Sequence, residues 1–551
     1  MTARRLLMLG PILYLSAFFF YPLLTILARS LNTGDSLDIT PFISILGDSY
    51  YLGRVWFTIW QATVSTVVTL LLGLPIAYIF ARHEFRGKTI LRAASTVPFI
   101  MPTIVVAMGF ISLLGPQGAL NSLLMDLFGF ENPPIRISNT LTIIFMAHAF
   151  YNYAIVVRVV SAFWANLNPR LEETAAVLGA SKLNTFITIT LPLLFPSIIS
   201  SAILAFTFSF TSFGVVLVLG GPQFATMEVA TYELTAKLFR LELAGALAII
   251  QLFFTYVFLL LYARAQDNIA VRSDLVPREF TRISKRSARQ RVGLILTILM
   301  LITILSPLLI LIERSLTSVN GYSLHHFRSL FVNADDSYFY LTPIAIITNS
   351  VRFAAMTTGI ALLVGTSAAY LLAKSSNRSS WFQDAFYMMP LGVSAVVMGL
   401  GYLLAFNRPP VDLRGSWLIL IIAHSLIAYP FVIRSVLPAL RAVPTQLQES
   451  AAVLGASPTK TFIHIYLPIL TPGLIVGATF AFAVSMGEFG ASLLLVRPQF
   501  TTMPVAIFRL LGQPGASNFG QALAMSSLLM MIVAAGFIAI ERLRYRNSGG
   551  F

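Results

Sequence analysis

The chain has 551 residues, of which 57% are hydrophobic and only 11% charged; its net charge is +15 and it has no cysteine. Soluble domains carry about 25% charged residues, so a water-soluble fold of this composition would expose large apolar patches, and lipid is the solvent that fits. The missing cysteines exclude disulfides, thiolate metal sites and cysteine nucleophiles.

At the N-terminus, Arg4 and Arg5 precede an apolar run from Leu6 to Ala28. The run resembles a signal peptide, but it is long enough to span a bilayer and no small-x-small cleavage site follows it. It is expected to stay as a first helix. Counting it, the first half offers apolar stretches at 6–28, 57–81, 97–115, 140–161, 192–220 and 242–263. The second half offers 292–313, 344–373, 386–406, 416–437, 467–496 and 520–541. All should be helices, because an open sheet edge in lipid leaves backbone groups unpaired. The expected fold class is an all-α polytopic membrane protein of about 12 transmembrane helices.

Lys and Arg gather on the cytoplasmic side of membrane proteins. With the N-terminus in the cytoplasm, the cytoplasmic segments hold 23 Lys/Arg and the external ones 11. The remaining three, Arg158, Arg352 and Arg434, fall in or at the ends of spans. Both termini are therefore expected in the cytoplasm. The linker at 264–291 holds eight Lys/Arg against three acidic residues. Without aromatic platforms around it, it reads as a solvated tether at the membrane surface and not as a nucleic-acid site.

The chain repeats itself. Residues 173–196 (ETAAVLGASKLNTFITITLPLLFP) and 449–472 (ESAAVLGASPTKTFIHIYLPILTP) are identical at 16 of 24 positions, at an offset of 276. The same offset pairs His148 with His424, Tyr153 with Tyr429, Arg158 with Arg434, Phe213-Gly214 with Phe489-Gly490 and Pro222-Gln223-Phe224 with Pro498-Gln499-Phe500. Upstream, Gly73 and Tyr78 pair with Gly365 and Tyr370. With six spans each, the halves are parallel repeats about an axis along the membrane normal. The expected organisation is 1–56, a first helix and external loop; 57–263, a first transmembrane domain; 264–291, the basic linker; 292–343, a helix and external loop; 344–541, a second transmembrane domain; and 542–551, a cytoplasmic tail.

The most similar stretch is the cytoplasmic loop between the fourth and fifth spans of each half. Near-identity in two water-facing loops points to one kind of partner met twice. In the first copy Asn168 should cap a helix that begins at Pro169, with Glu172 and Glu173 near its positive end. Leu171, Ala175 and Leu178 should form one apolar face. Gly179 should end the helix in a left-handed turn, and Ser181 should cap a second short helix. Pro444, Glu449, Gly455, Ser457, Pro458 and Pro468 repeat the design in the second copy.

This spacing closely resembles the signature loop of binding-protein-dependent ABC importer permeases of type I. It is carried by Glu173, Gly179, Ile189, Leu191 and Pro192, and again by Glu449, Gly455, Ile465, Leu467 and Pro468. Thr174 and Ser450 stand where that loop has its first Ala; both are small. The resemblance implies that each loop is a coupling helix seated on an ATPase subunit. It further implies two ABC ATPase subunits, an extracytoplasmic solute-binding protein, a bacterial inner (plasma) membrane location, and ATP hydrolysed by the partners. No cofactor is expected on this chain. The fused halves and the Phe-Gly and Pro-Gln segments resemble the ferric-iron and thiamine permeases in particular. The alternative is a secondary active transporter with two six-helix halves, which leaves the twin loops unexplained.

No catalytic residues and no metal site are expected. The nearest phosphate-loop look-alike, at Arg82–Thr89, lacks its first Gly and follows a membrane helix instead of a strand. Among intramembrane polar residues, Glu488 is expected inside the eleventh span, with Ser212 as its repeat partner and a role in attracting a cationic solute. His148 and His424 are expected to hydrogen-bond between helices, and Arg158 and Arg434 to snorkel. The Pro-Gln-Phe segments fit either contacts with a binding protein or simple turns.

Overall fold

Lipid leaves a backbone no partner but itself, so the apolar stretches become helices. The computed structural model describes residues 2–31, 38–271, 281–282, 288–318, 321–331, 341–374, 380–408 and 411–548. Half of the expected basic linker (272–280 and 283–287) and the last residues of the tail lie outside the described residues. The first six spans are Leu9–Leu31, Ser49–Arg82, Thr103–Phe128, Leu141–Ala165, Lys182–Phe210 and Leu241–Tyr262. The seventh and eighth are Arg291–Leu316 and Pro343–Lys374; the tenth to twelfth are Leu418–Arg441, Phe462–Gly487 and Ala516–Ile538. The ninth is a helix pair, Gln383–Gly392 and Ala395–Ala405, bent by 93°.

Four expected spans break where hydropathy alone reads them as continuous. The stretch at 97–115 divides at Met101-Pro102 into helices Lys88–Ile100 and Thr103–Leu114. The ninth breaks near Ser394, whose Oγ accepts the Val396 and Val397 N–H groups and so starts a new helix. The fifth stops at Phe210, and a short helix, Gly214–Leu219, follows. The eleventh stops at Gly487, and Gly490–Leu495 follows. Glu488 is thus at the break after the eleventh span, not inside it.

Proline shapes the helices in a second way. A proline lacks an N–H and its ring crowds the carbonyl four residues back; one extra residue in the preceding turn relieves both. Three π-helical turns end two residues before a proline: Ser16–Phe20 before Pro22, Phe186–Thr190 before Pro192, and Phe462–Tyr466 before Pro468. The Ile-x-Leu-Pro spacing of both loops therefore encodes a π turn that carries Ile189 or Ile465 into the span.

Glycines set the closest helix crossings, and the repeat uses them twice. A Cβ on Gly73 would lie 2.7 Å from the Val156 Cβ, and one on Gly365 would lie 2.7 Å from the Val432 Cβ. The second and fourth spans, and the eighth and tenth, thus cross at equivalent points. The leading spans pack on the opposite half. Gly401 of the ninth span touches Pro22 of the first, and Gly109 of the third touches Pro307 of the seventh. The Tyr14 hydroxyl lies 2.6 Å from Ser425 Oγ in the tenth span. Each half is clasped by the first helix of the other.

Candidate functional site

The two repeated loops fold as their sequence dictates. In the first, helix Pro169–Val177 starts from Asn168, whose Oδ1 accepts the Arg170 N–H at 3.0 Å. Gly179 ends it at φ +81°. Ser181 Oγ accepts the Asn184 N–H at 3.3 Å and starts the next short helix. In the second loop Thr445–Val453 is helical, Gly455 has φ +77° and Pro458 opens the next helix. Pro444 occupies the position of Asn168, one residue before the helix, and offers no side-chain cap.

The expected single apolar face is not what forms. Ala175 is buried against the protein, but Leu178 is 82% exposed. Val177 is 87% exposed, and Val453 and Leu454 are 88% and 86% exposed. Each loop therefore presents a Val-Leu knob to its surroundings beside the left-handed glycine. Glu173 and Glu449 are exposed on the same helices. The periodicity rule missed Val177 and Val453, although both lie within the repeated AAVLGAS string.

The residue before each signature glutamate ties the loop to the spans. Glu172 receives both Nη groups of Arg82, at the end of the second span, and the Thr190 hydroxyl at 2.8 Å. In the repeat, Gln448 replaces Glu172 and Tyr466 replaces Thr190, and the Tyr466 hydroxyl donates to Gln448 Oε1 at 3.0 Å. Tyr370 packs edge-on to Tyr466, and Lys374 Nζ sits 4.5 Å from the Tyr370 ring. One loop is fastened by charge and the other by a neutral hydrogen bond and rings. Arg82, from the phosphate-loop look-alike, is thus a structural clamp.

Charge-assisted bidentate bonds are the stronger kind, so Glu172→Gln should cost about 1–2 kcal/mol locally. Hydrogen exchange would then speed up by about tenfold across 169–190 and stay unchanged across 445–466. Equal change in both loops would contradict the clamp.

Between the halves lies a cavity of about 330 Å³ lined by residues from both, including Ser212, Glu488, His148, Asn152 and Ser394. The four helix breaks surround it: Met101-Pro102, Thr211 to Phe213, Ser394, and Glu488-Phe489 all contribute. Phe213 and Phe489, equivalent by the repeat, stack at 5.6 Å between ring centres. The expected pair of Ser212 and Glu488 is brought into one cavity.

Glu488 is buried and well satisfied. Its Oε1 accepts the Ala491 N–H at 2.7 Å, and its Oε2 accepts the Ser492 N–H at 2.8 Å and the Ser492 hydroxyl at 2.6 Å. His424 Nε2 is 3.2 Å from Oε2. The carboxylate also sits at the positive end of helix Gly490–Leu495. His424 Nδ1 meets Ser485 Oγ at 2.8 Å, and its Nε2 meets Ser492 Oγ at 2.9 Å. His148 Nδ1 meets Ser65 Oγ at 2.9 Å, joining the fourth and second spans, while its Nε2 has no partner. Arg158 and Arg434 are exposed within their helices, and Arg434 lies 4.0 Å from Asp384.

Glu228 escaped the sequence reading. It is fully buried and accepts hydrogen bonds from Gln251 Nε2 and from the Ser394 hydroxyl. Ser394 is also the residue that starts the second arm of the bent ninth span. Glu228 thus fixes a cavity-lining break of the other half. Its repeat partner is Pro504, and that mismatch was the available signal.

The Pro-Gln-Phe segments are single 3₁₀ turns. Arg54 Nη1 donates to the Gln223 carbonyl at 2.9 Å and Asn349 Nδ2 to that of Gln499 at 3.2 Å. Their turn-forming role is plain from these bonds.

Residues 72–274 and 361–546 match the family described as binding-protein-dependent transport system inner membrane components. The chain is similar to the ferric transport system permease protein FbpB of Actinobacillus pleuropneumoniae, with 23% identity covering 96% of this chain and 76% of the relative. It is similar to the thiamine transport system permease protein ThiP of Escherichia coli, with 25% identity covering 92% and 91%. The putative 2-aminoethylphosphonate transport system permease protein PhnV of Salmonella typhimurium is 29% identical over 47% of this chain and 96% of its own length. The family appears twice along one chain and displaces the secondary-transporter alternative. The protein belongs to the binding-protein-dependent transport system inner membrane components and is a fused, two-domain permease of an ABC importer.

Proposed function

We propose that this permease forms the solute pathway between its two halves and is driven by two ABC ATPase subunits, one on each signature loop. Glu173, Gly179, Ile189, Leu191 and Pro192 would serve the first contact, and Glu449, Gly455, Ile465, Leu467 and Pro468 the second. The observation that carries this reading is the pair of exposed Val-Leu knobs, Val177-Leu178 and Val453-Leu454. Exposed apolar side chains at a water-facing tip mark a contact surface. ATP is hydrolysed on the partners, and the chain holds no cofactor of its own.

The domains run over 57–263 and 344–541, joined by the basic linker at 264–291 and the helix and external loop at 292–343. The Lys/Arg bias supports cytoplasmic termini in a bacterial inner membrane, with a solute-binding protein on the face of the Pro-Gln-Phe turns. Ser212 and Glu488 line the pathway, and the solute is a cation: ferric iron or thiamine, by the relatives that span nearly the whole chain.

The chain has no cysteine, so Leu178→Cys and Leu454→Cys each place one unique thiol. A thiol-to-amine cross-linker should join either variant to one ATPase subunit, and the double variant to two. Failure of both to reach an ATPase subunit would refute the docking assignment.

A further inference from the structure

The cavity at the pseudo-twofold axis carries more chemical detail than a charge sign. Its lining contains one carboxylate, Glu488, one imidazole, His148, and no Lys or Arg. A solute with a net negative charge would find no cation there. Seven aromatic side chains stand among the otherwise small and apolar residues of the wall. Phe431 and Phe480 stack at 6.0 Å and 19°, and Phe99 meets Phe208 edge-on at 5.9 Å and 71°. Phe213 and Phe489 stack at 5.6 Å across the axis.

We propose that this cavity accommodates a small organic cation with a planar, apolar body, held against ring faces in the field of Glu488, and not a bare metal ion. The proposal rests on the reading of the chain as a solute pathway. Three observations carry it. Ring faces attract cations that have shed water, and they favour diffuse organic charge. A trivalent metal needs several oxygen or nitrogen ligands, yet no group of three His, Asp or Glu able to hold a metal occurs among the described residues. Glu488 is also poorly placed as a chelator, because its two oxygens already receive the Ala491 and Ser492 N–H groups and the Ser492 hydroxyl. It acts as a fixed charge. The third observation is His148, which lines the cavity, is 2% exposed, and has an Nε2 with no partner. That nitrogen can accept a hydrogen bond from a solute N–H or donate one to a solute ring nitrogen, according to tautomer.

The size agrees. About 330 Å³ is at the low end of cavities that take small organic ligands.

The test uses the complete transporter, with its ATPase subunits and binding protein, in sealed vesicles. Radiolabelled thiamine and benzyltrimethylammonium represent organic cations; ferric nitrilotriacetate and 2-aminoethylphosphonate are the opposing arms. At least one organic cation should accumulate with ATP and the other two probes should not. Phe431→Leu should lower that uptake by about fivefold or more, and Phe431→Trp should restore it, because Trp is the strongest ring partner for a cation and Leu is only apolar. ATP hydrolysis in the same vesicles reports assembly; if Phe431→Leu fails to assemble, Phe480→Leu and Phe480→Trp repeat the comparison. Accumulation of the ferric or phosphonate probe, no accumulation of either organic cation, or equal uptake with Leu and Trp would each overturn the proposal. A transporter whose uptake stays independent of the docking loops would instead defeat the underlying importer reading.

Discussion

Leu178→Asp combined with Leu454→Asp is expected to reduce ATP-driven uptake by a hundredfold or more (about two orders of magnitude) while the permease still inserts and folds. The folding half of this expectation follows from exposure: both side chains are more than four-fifths exposed, so neither contributes a core contact, and surface changes of this kind usually move stability by about 0.5 kcal/mol or less. The functional half follows from their setting. Each leucine stands beside a glycine in a left-handed turn, at the tip of a helix anchored from behind by Glu172 or Gln448. An apolar anchor at the centre of a contact is worth about 2 kcal/mol, or about thirtyfold in binding. The two loops lie in different halves, so their losses should add as free energies. Uptake and ATP hydrolysis measured on the same membranes would check this. Full uptake in the double variant would mean the knobs face something other than an ATPase. The single variants are informative too, since the charged clamp and the neutral clamp hold the two knobs differently.

How much of this was legible follows from what each signal depends on. The loops were readable because their rules are local: a cap at Asn168, a left-handed glycine at 179, a proline at 192, all doubled at a fixed offset. The number of spans was readable because lipid demands length and apolarity alone. The breaks were not. Apolar residues run up to and beyond Met101-Pro102, Ser394 and Glu488-Phe489, so average hydropathy gives no warning, and the local caps at Ser394 and Glu488 are completed by contacts distant in sequence. Ser394 is fixed by Glu228, 166 residues away. Glu228 itself lies in a short helix, Met227–Ala236, outside every expected span. The exposed knob was misread because helical spacing reports which residues share a face, and not whether that face turns toward the protein or toward a partner.

The break at Glu488 gives the second large expectation, and the repeat supplies its own control. At the equivalent point the first half has Ser212, and there too one helix ends and a short one, Gly214–Leu219, begins without any side-chain cap. A carboxylate is therefore unnecessary for this turn of the chain. The surroundings changed with it: Ser492, which donates to Glu488, replaces Val216, and His424 turns toward that pair, whereas His148 bonds Ser65. The second half thus adds two side-chain groups, the Ser492 hydroxyl and His424, to the two backbone N–H groups that hold one charge beside the cavity. Glu488→Ser should cost about 1–2 kcal/mol of stability through the lost cap and hydrogen bonds, a loss visible as a lower unfolding temperature but not as misfolding. Its effect on a cationic solute should be larger. A unit charge about 4 Å from a cation contributes about 4 kcal/mol at a surface-like effective dielectric of 20. The four hydrogen-bond contacts and the helix end already draw on the field of this carboxylate, so about half of that, thirtyfold in uptake, is the expected loss. Ser212→Glu in the same chain should recover part of it, because the two positions face one cavity across the axis. Unchanged uptake in Glu488→Ser would reduce the carboxylate to a helix cap and leave the rings alone to select the solute.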